Sequence, residues 1–203
     1  MEMNWYPMEE KERNFYKDFE DQVRFERYYP SQIDYLFIGE SIPRVKYPIT
    51  PKTELYNFYI PDTEYSPFIQ TFYDVFKMEN VLGDKKFNSY GHGKFLDYFK
   101  SNNNFLYDLC PIPVNHLKNN EEQKTRREIC KFYEDKLIDF LKYEEPMYIF
   151  CCLDSINDIV QRAIIKSEIS PKIYKCSKFP KDQKYTAIFK EDLSNFLIDC
   201  NKK

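Results

Sequence analysis

The stretch "IDYLFIGES", residues 33–41, decides the fold of this chain. The apolar run over residues 35–38 ends at Gly39, one of only four glycines among 203 residues. A short apolar run that turn residues bound is typical of a buried strand. Pro43 and four further prolines up to Pro67 follow it, and they favour a long ordered loop because proline disrupts helices and central strands.

Similar runs alternate with amphipathic segments along the rest of the chain. Residues 147–153 are predicted as a buried strand, residues 104–115 as a strand that runs into a loop, and residues 172–180 as a short strand that does the same. Helices are predicted over residues 8–28, 66–83, 93–102, 120–146, 154–165 and 184–200, with Ser66 as one cap and Asp154 or Ser155 as another. This alternation favours an α/β fold whose largely parallel sheet is covered on both faces.

The length predicts a single domain over residues 1–203, with residues 1–30 as an N-terminal helical segment packed on it. No window approaches 18 consecutive apolar residues, and the first residues lack the order of a secretion signal. We therefore expect a cytoplasmic protein that has no membrane partner.

Cysteine and histidine usage argues against metals and disulfides. Six scattered cysteines form no CxxC pair, and neither His92 nor His116 sits at ligand spacing from one of them. Reduced thiols and no bound metal are the prediction. No other cofactor is expected, because the chain has neither a GxxxxGK[ST] nor a GxGxxG motif.

Polar residues and prolines gather where the predicted strands end, in "GESIPR", "DLCPIPVN" and "SKFPKDQ". Ligands of open parallel sheets bind beyond the carboxyl ends of the strands. Gly39 would let the backbone approach a ligand closely, and Pro43 would hold the turn. The alternative is an ordinary exit from a strand, with glycine for the turn and Glu40 for solvent.

Three quoted segments carry a family resemblance. "LFIGES.P", then "YNFY" at residues 56–59 and "FLYDLCPIPVN" at residues 105–115, resemble the uracil-DNA glycosylase-like superfamily, in particular its divergent branches with a "GESPP" and a "DxxPxP" motif. The resemblance spans residues 33–195. It implies a three-layer α/β/α sandwich with a central, mostly parallel sheet of about four strands.

The resemblance also implies a site. Gly39, Glu40 and Ser41 fall where the family contacts the base and activates water, and DNA is the implied partner. Breaking an N-glycosidic bond builds positive charge on the sugar, so Glu40 would orient water or stabilise that cation. Phe58 or Tyr59 would give the extruded base an aromatic face, with Tyr47 behind them. Both are equally compatible with core packing.

Asp108 departs from the uracil enzymes, which the resemblance says place an asparagine near that position. An amide both donates and accepts hydrogen bonds, whereas an ionised aspartate only accepts. A base edge that offers two donors would therefore suit Asp108 better than uracil does, unless Asp108 retains its proton or Asn115 supplies the amide.

The third motif departs further. Phe179 and Pro180 stand where the family has His-Pro, and no histidine follows His116. Lys178 or Lys181 are candidates to receive the anionic base. A lysine-rich segment surrounds them, and it would contact DNA phosphates or simply form a solvated loop; its candidate DNA-binding residues are Lys175, Lys178, Lys181 and Lys184.

Three hypotheses follow from these residues. The first is a metal-independent DNA glycosylase-like enzyme that acts on an extruded damaged or modified base. The second is a catalytically reduced relative that binds DNA or a nucleobase. The third is a small-molecule enzyme or partner-binding module that uses Glu40 and Asp108 as paired carboxylates. A nucleophilic cysteine at Cys110 or Cys151 is less favoured than a packing role.

Overall fold

The computed structural model describes residues 14–16, 18, 20–43, 58–60, 66–78, 89–117 and 120–202. Several predicted features lie outside these ranges: the start of the helix predicted over residues 8–28, most of the loop predicted between Pro43 and Pro67, the aromatic residue Tyr47 and the helix end at Gly83.

A four-stranded parallel sheet forms the centre of the molecule. Its strands are β1 (Tyr35–Ser41), β2 (Asn104–Cys110), β3 (Tyr148–Cys151) and β4 (Ile173–Cys176). They lie in the order β2-β1-β3-β4, and every neighbouring pair is parallel. The predicted α/β fold with a parallel sheet of about four strands is therefore confirmed.

The helices of the described ranges are α1 (Glu20–Arg27, wound as a π-helix), α2 (Pro67–Val75), α3 (Ser89–Ser101), α4 (Asn120–Phe132), α5 (Glu134–Glu144), α6 (Asn157–Ser167) and α7 (Gln183–Asn201). Helix α7 packs on β3, β4 and α2, α3 and α4 pack on β2, and α5 packs on α6. Within those ranges, no helix has the length and apolarity that a membrane crossing requires.

Local signals at helix ends were partly correct. Ser66 caps α2 as predicted, because its hydroxyl accepts from the backbone N–H of Ile69 at 3.1 Å. The cap at Asp154 or Ser155 is wrong, since both residues belong to a short 3₁₀ turn, Asp154–Ile156, and Leu153 precedes that turn without a side-chain cap. Prediction of a single helix over residues 120–146 is also wrong.

The break in that predicted helix falls at Tyr133, between α4 and α5. Its backbone angles of φ −88° and ψ 0° leave the helical region. The turn lets Glu134 face α6, where its carboxylate binds Arg162 at 2.7 Å and Lys166 at 2.8 Å. A buried tyrosine and a buried ion-pairing glutamate therefore replace the continuous amphipathic pattern.

Aromatic side chains fill the core beside the sheet. Phe37 of β1 is fully buried. The centre of its ring lies 5.2 Å from that of Phe72, 5.5 Å from that of Phe99, and 6.1 to 6.2 Å from those of Phe76, Phe150 and Phe196. Most of these contacts are edge-to-face or tilted, which is the arrangement that aromatic quadrupoles favour. The core is therefore continuous from the sheet into the helices that cover it.

The outer edge of β2 is closed by side chains rather than by another strand. The Tyr59 hydroxyl accepts from the N–H of Leu106 at 2.7 Å and lies 3.2 Å from its carbonyl. The same carbonyl accepts from Nε and Nη2 of Arg24 at 3.2 and 2.8 Å. Helix α1 thus protects the sheet edge, because β2 has no unpaired backbone groups at Leu106.

Candidate functional site

A pocket of about 240 Å³ lies at the carboxyl ends of the strands. The first motif lines it with Gly39, Glu40 and Ser41, and Asp108 enters from β2. The sheet order reverses at β1, with β2 on one side and β3 on the other, so the loops that follow these strands leave a crevice between them. Leu153 after β3 and Phe179 with Pro180 after β4 complete the rim.

Gly39 is needed because of Asp108. The two residues are register partners on β1 and β2. A Cβ at position 39 would meet Oδ1 of Asp108 well inside van der Waals contact. The glycine therefore makes room for a carboxylate beside the strand, and that carboxylate borders the pocket. The sequence predicted close approach at Gly39, but to a ligand rather than to a neighbouring side chain.

Asp108 is a carboxylate in a largely dehydrated place. Its side chain is 13% exposed, and Oδ2 lies 3.6 Å from Nη2 of Arg24. Burial raises the pKa of Asp108, the guanidinium of Arg24 opposes that rise, and the negative charge of Glu40 adds to it. Ionisation of Asp108 is therefore less favourable than that of a solvated aspartate, although a cation lies next to it.

Arg24 itself is buried, with 1% of its surface exposed. Its guanidinium carbon lies 5.4 to 5.9 Å from the ring centres of four aromatic residues. Those residues are Phe25, Tyr59, Phe105 and Tyr107. The charge is thus fixed behind Asp108 by packing. Sequence reasoning missed Arg24 because nothing distinguishes it from the solvent-facing charges around it.

Glu40 is not a free carboxylate. Nε of Arg126, from α4, donates to Oε1 at 2.7 Å, and Nη2 pairs with Oε2, which makes a bidentate ion pair. The Glu40 side chain is 8% exposed and that of Arg126 is 27% exposed. Burial opposes the charge of Arg126, but hydrogen bonding and attraction to Glu40 outweigh it and raise the pKa of the guanidinium. Arg126 also lines the pocket, and sequence reasoning missed it.

Two thiols lie behind this ion pair. Sγ of Cys130 is 4.0 Å from Oε1 of Glu40 and 3.6 Å from Sγ of Cys110. Burial raises the pKa of Cys110 well above its usual range. The pKa of Cys151 is raised in the same way, first by a hydrogen bond to Cys176 and then by burial. The thiols of Cys110 and Cys151 are therefore poor nucleophiles, which agrees with a packing role. The six cysteines, all of them among the described residues, form no disulfide bond.

The two candidate aromatic residues have different positions. Phe58 lines the pocket, and its ring packs edge-on against Phe72 at 5.3 Å. Tyr59 is 2% exposed and uses its hydroxyl at the edge of β2, so it belongs to the core. Beneath Phe58, Nε2 of His92 donates to its carbonyl at 2.6 Å, and burial lowers the pKa of His92 to about 4.

The remaining predicted residues divide between the pocket and its surroundings. Asn115 is exposed and borders the pocket, while the Ser41 hydroxyl accepts from the N–H of Val114 at 3.3 Å and so holds the loop after β2. None of the four predicted lysines is among the described residues that line the pocket. Lys175 pairs with Asp199 at 2.7 Å, Lys178 and Lys181 lie over the Tyr185 ring, and Lys184 is exposed in the first turn of α7.

No protein-family model matches this chain, and no curated protein matches it significantly. Across the ranges that the structure describes, no group of three or more histidine, cysteine, aspartate or glutamate side chains is arranged to hold a metal ion. Chemistry at this pocket is therefore argued from its own side chains.

Proposed function

We propose that the pocket accepts a nucleobase extruded from a nucleic-acid strand, and that the protein is a glycosylase-like enzyme that hydrolyses the bond between that base and its sugar. One observation carries the proposal. The first motif, Phe58, the second motif and the Phe179-Pro180 segment are far apart in sequence, yet all of them border one pocket. The first three carry the resemblance to the uracil-DNA glycosylase-like superfamily, and Phe179-Pro180 stands where that family has His-Pro.

The size and the walls of the pocket fit a single base. Its volume of about 240 Å³ lies below the roughly 300 Å³ at which pockets for drug-sized ligands begin. Phe58, Phe68 and Leu106 give it apolar walls, and a few polar side chains, among them Glu40, Asp108 and Arg126, also line it. A flat ring with polar edges matches this distribution, because apolar faces and a few directed hydrogen bonds are what its recognition needs.

Glu40 supports hydrolysis as the carboxylate of an ion pair that borders the pocket. A fixed negative charge at this place stabilises the cation that develops on the sugar as the bond to the base breaks. A water molecule then bonds to the anomeric carbon, the base leaves with the electron pair of the broken bond, and the proton lost by the water restores the neutral base. Glu40 also borders a second hollow of about 220 Å³, which gives water a route to it.

The same ion pair favours a second candidate, binding without cleavage. Both oxygens of Glu40 already accept hydrogen bonds from Arg126, which leaves the carboxylate less available to orient an attacking water molecule. No histidine is among the described residues that line the pocket, so the usual stabiliser of a departing base is missing from them. A protein built this way would hold a base and release it unchanged.

A nucleic-acid partner and a cytoplasmic location belong to the same proposal. Lys178 and Lys181 are exposed next to Phe179 on the rim, where a phosphate backbone would pass if a base entered the pocket. Six cysteines without a disulfide bond suit a reducing compartment.

The experiment is an incubation with oligonucleotides that each carry one uracil, deaminated, oxidised or alkylated base, followed by alkaline cleavage at abasic sites. Strand cleavage that the Glu40→Gln variant loses supports the enzyme. Base-dependent binding with no cleavage leaves the binding candidate. Absence of both, in a protein whose melting curve shows that it is folded, contradicts the proposal.

A further inference from the structure

We propose that the base this pocket selects is a 2-amino-6-oxopurine, guanine or a derivative that keeps the same edge. The inference rests on the proposed function and adds the substrate class to it. It follows from two side chains of opposite hydrogen-bonding character at one pocket, the acceptor Asp108 and the donor Arg126.

Asp108 sets the first requirement. An ionised carboxylate has two oxygens and no proton to donate, so it pairs best with two neighbouring N–H groups. Guanine offers such a pair, since its ring N1–H stands next to its 2-amino group. Uracil and thymine place their N–H between two carbonyls, and adenine and cytosine place an amino group next to a ring acceptor. Each of these four bases would set an acceptor against the Asp108 carboxylate.

Arg126 sets the second requirement. Its Nε and Nη2 are used by Glu40, and Nη1 makes no hydrogen bond to any residue that the structure describes. The side chain is 27% exposed and borders the pocket, so a ligand can reach it. Arginine has only donors, and the O6 and N7 acceptors of guanine are its commonest specific partner in nucleic acids. In base recognition Glu40 is then a positioning residue, because its ion pair orients the guanidinium group of Arg126.

Charge balance favours a neutral base over an anionic ligand. Two carboxylates, Glu40 and Asp108, line the pocket, and each lies beside one guanidinium group, Arg126 and Arg24 respectively. The thiols next to them, Cys110 and Cys130, are buried. A phosphate or carboxylate ligand would face two like charges, whereas guanine satisfies the acceptor and the donor without adding charge.

Matched ligands can test each contact separately. Trinucleotides with one base between two abasic residues present a single base to the pocket, and titration calorimetry measures their affinity. The four middle bases are guanine, hypoxanthine, which lacks only the 2-amino group, 7-deazaguanine, which lacks only the N7 acceptor, and uracil. We expect guanine to bind at least about tenfold more tightly than each of the others, as hydrogen bonds to charged groups allow.

Two variants assign that preference to its side chains. Asp108→Asn is expected to remove the difference between guanine and hypoxanthine, and Arg126→Gln the difference between guanine and 7-deazaguanine. Arg126→Lys is a matched second variant that keeps the charge but not the planar fork. Melting curves confirm that each variant is folded, and a structural role alone would weaken all four ligands equally.

The outcomes separate this inference from the proposed function. Equal affinity for guanine and hypoxanthine, or tighter binding of uracil, overturns the guanine preference and leaves base binding intact. Absence of any difference between the four trinucleotides and a fully abasic one overturns base binding as well. A guanine preference that survives both Asp108→Asn and Arg126→Gln also contradicts the inference, because it assigns recognition to other groups.

Discussion

The aromatic interior and the charged strand ends of this molecule lie a few residues apart and are stabilised in opposite ways. In the interior, Phe37 is buried among other rings, and the buried Tyr59 has a hydrogen-bond partner for its hydroxyl in Leu106. Both side chains are therefore stabilised by contacts within the fold. Two residues beyond Phe37 the strand reaches Gly39, which makes room for a carboxylate whose pKa is raised by burial. Burying a charge costs folding free energy, and such groups are typical of functional sites. The strand ends are therefore where a ligand would add hydrogen bonds to the buried carboxylate.

The largest expected loss of stability lies in the interior. Phe37→Ala removes a fully buried ring that contacts several others, and it should lower the free energy of unfolding by about 3–5 kcal/mol. Urea titration measures the change. Ile165→Ala is the matched control, because that side chain is 74% exposed and its loss should cost less than about 0.5 kcal/mol. Equal effects of the two variants would contradict the description of the core.

Breaking the ion pair should have the next largest effect. Arg126→Gln leaves the buried Glu40 carboxylate without its cation, and we expect a loss of about 1–3 kcal/mol, less than for a fully buried pair because Arg126 is partly exposed. The double variant Glu40→Gln/Arg126→Gln should recover much of this loss, since it removes the stranded charge. A double-mutant cycle measured by urea unfolding tests this, and strictly additive losses would show that the two groups do not interact.

Asp108→Asn should act in the opposite direction at neutral pH. Because burial raises the pKa of Asp108, the folded state binds its proton more tightly than the unfolded state does, so stability is lost as the pH rises through that raised pKa. Asparagine does not titrate. The variant should therefore melt a few degrees higher than the parent at pH 7, and the difference should shrink as the pH falls toward 4. A lower melting temperature at pH 7 would mean that attraction to Arg24 dominates.

The smallest stability change is expected at the rim. Lys178→Ala and Lys181→Ala remove exposed side chains over Tyr185, and each should alter the free energy of unfolding by less than about 0.5 kcal/mol. If the proposed nucleic-acid contact forms, each variant should reduce the slope of log affinity against log salt by about 1. Unchanged slopes in fluorescence anisotropy titrations would remove these two lysines from the interface.

Strands were predictable from sequence because their signal is local. The apolar runs within residues 35–38 and 104–110 mark β1 and β2, and parallel pairing then brings Gly39, Glu40 and Asp108 to one edge. The partners of those residues were not predictable. Arg126 is 86 positions from Glu40. It stands in a charged helical stretch, "KTRREICK", where an inward-facing arginine looks the same as a solvated one.

The aromatic pair shows the same limit. Phe58 and Tyr59 are adjacent and of similar size, so sequence alone gave both as candidates to hold a base. Both side chains are buried, but their surroundings differ. The Tyr59 hydroxyl binds the backbone of Leu106 in β2, whereas Phe58 borders the pocket. A backbone partner 47 positions away decided the outcome, and no local pattern encodes it.

The most direct test of the account compares two otherwise identical single-stranded oligonucleotides, one with a central guanine and one with an abasic residue in its place, at fixed salt. We predict that the parent protein binds the base-containing strand more tightly, and that Gly39→Ala, which displaces Asp108, removes the difference while leaving the salt-dependent part of binding unchanged. Equal affinity of the parent protein for the two strands would contradict the claim that this pocket recognises a base.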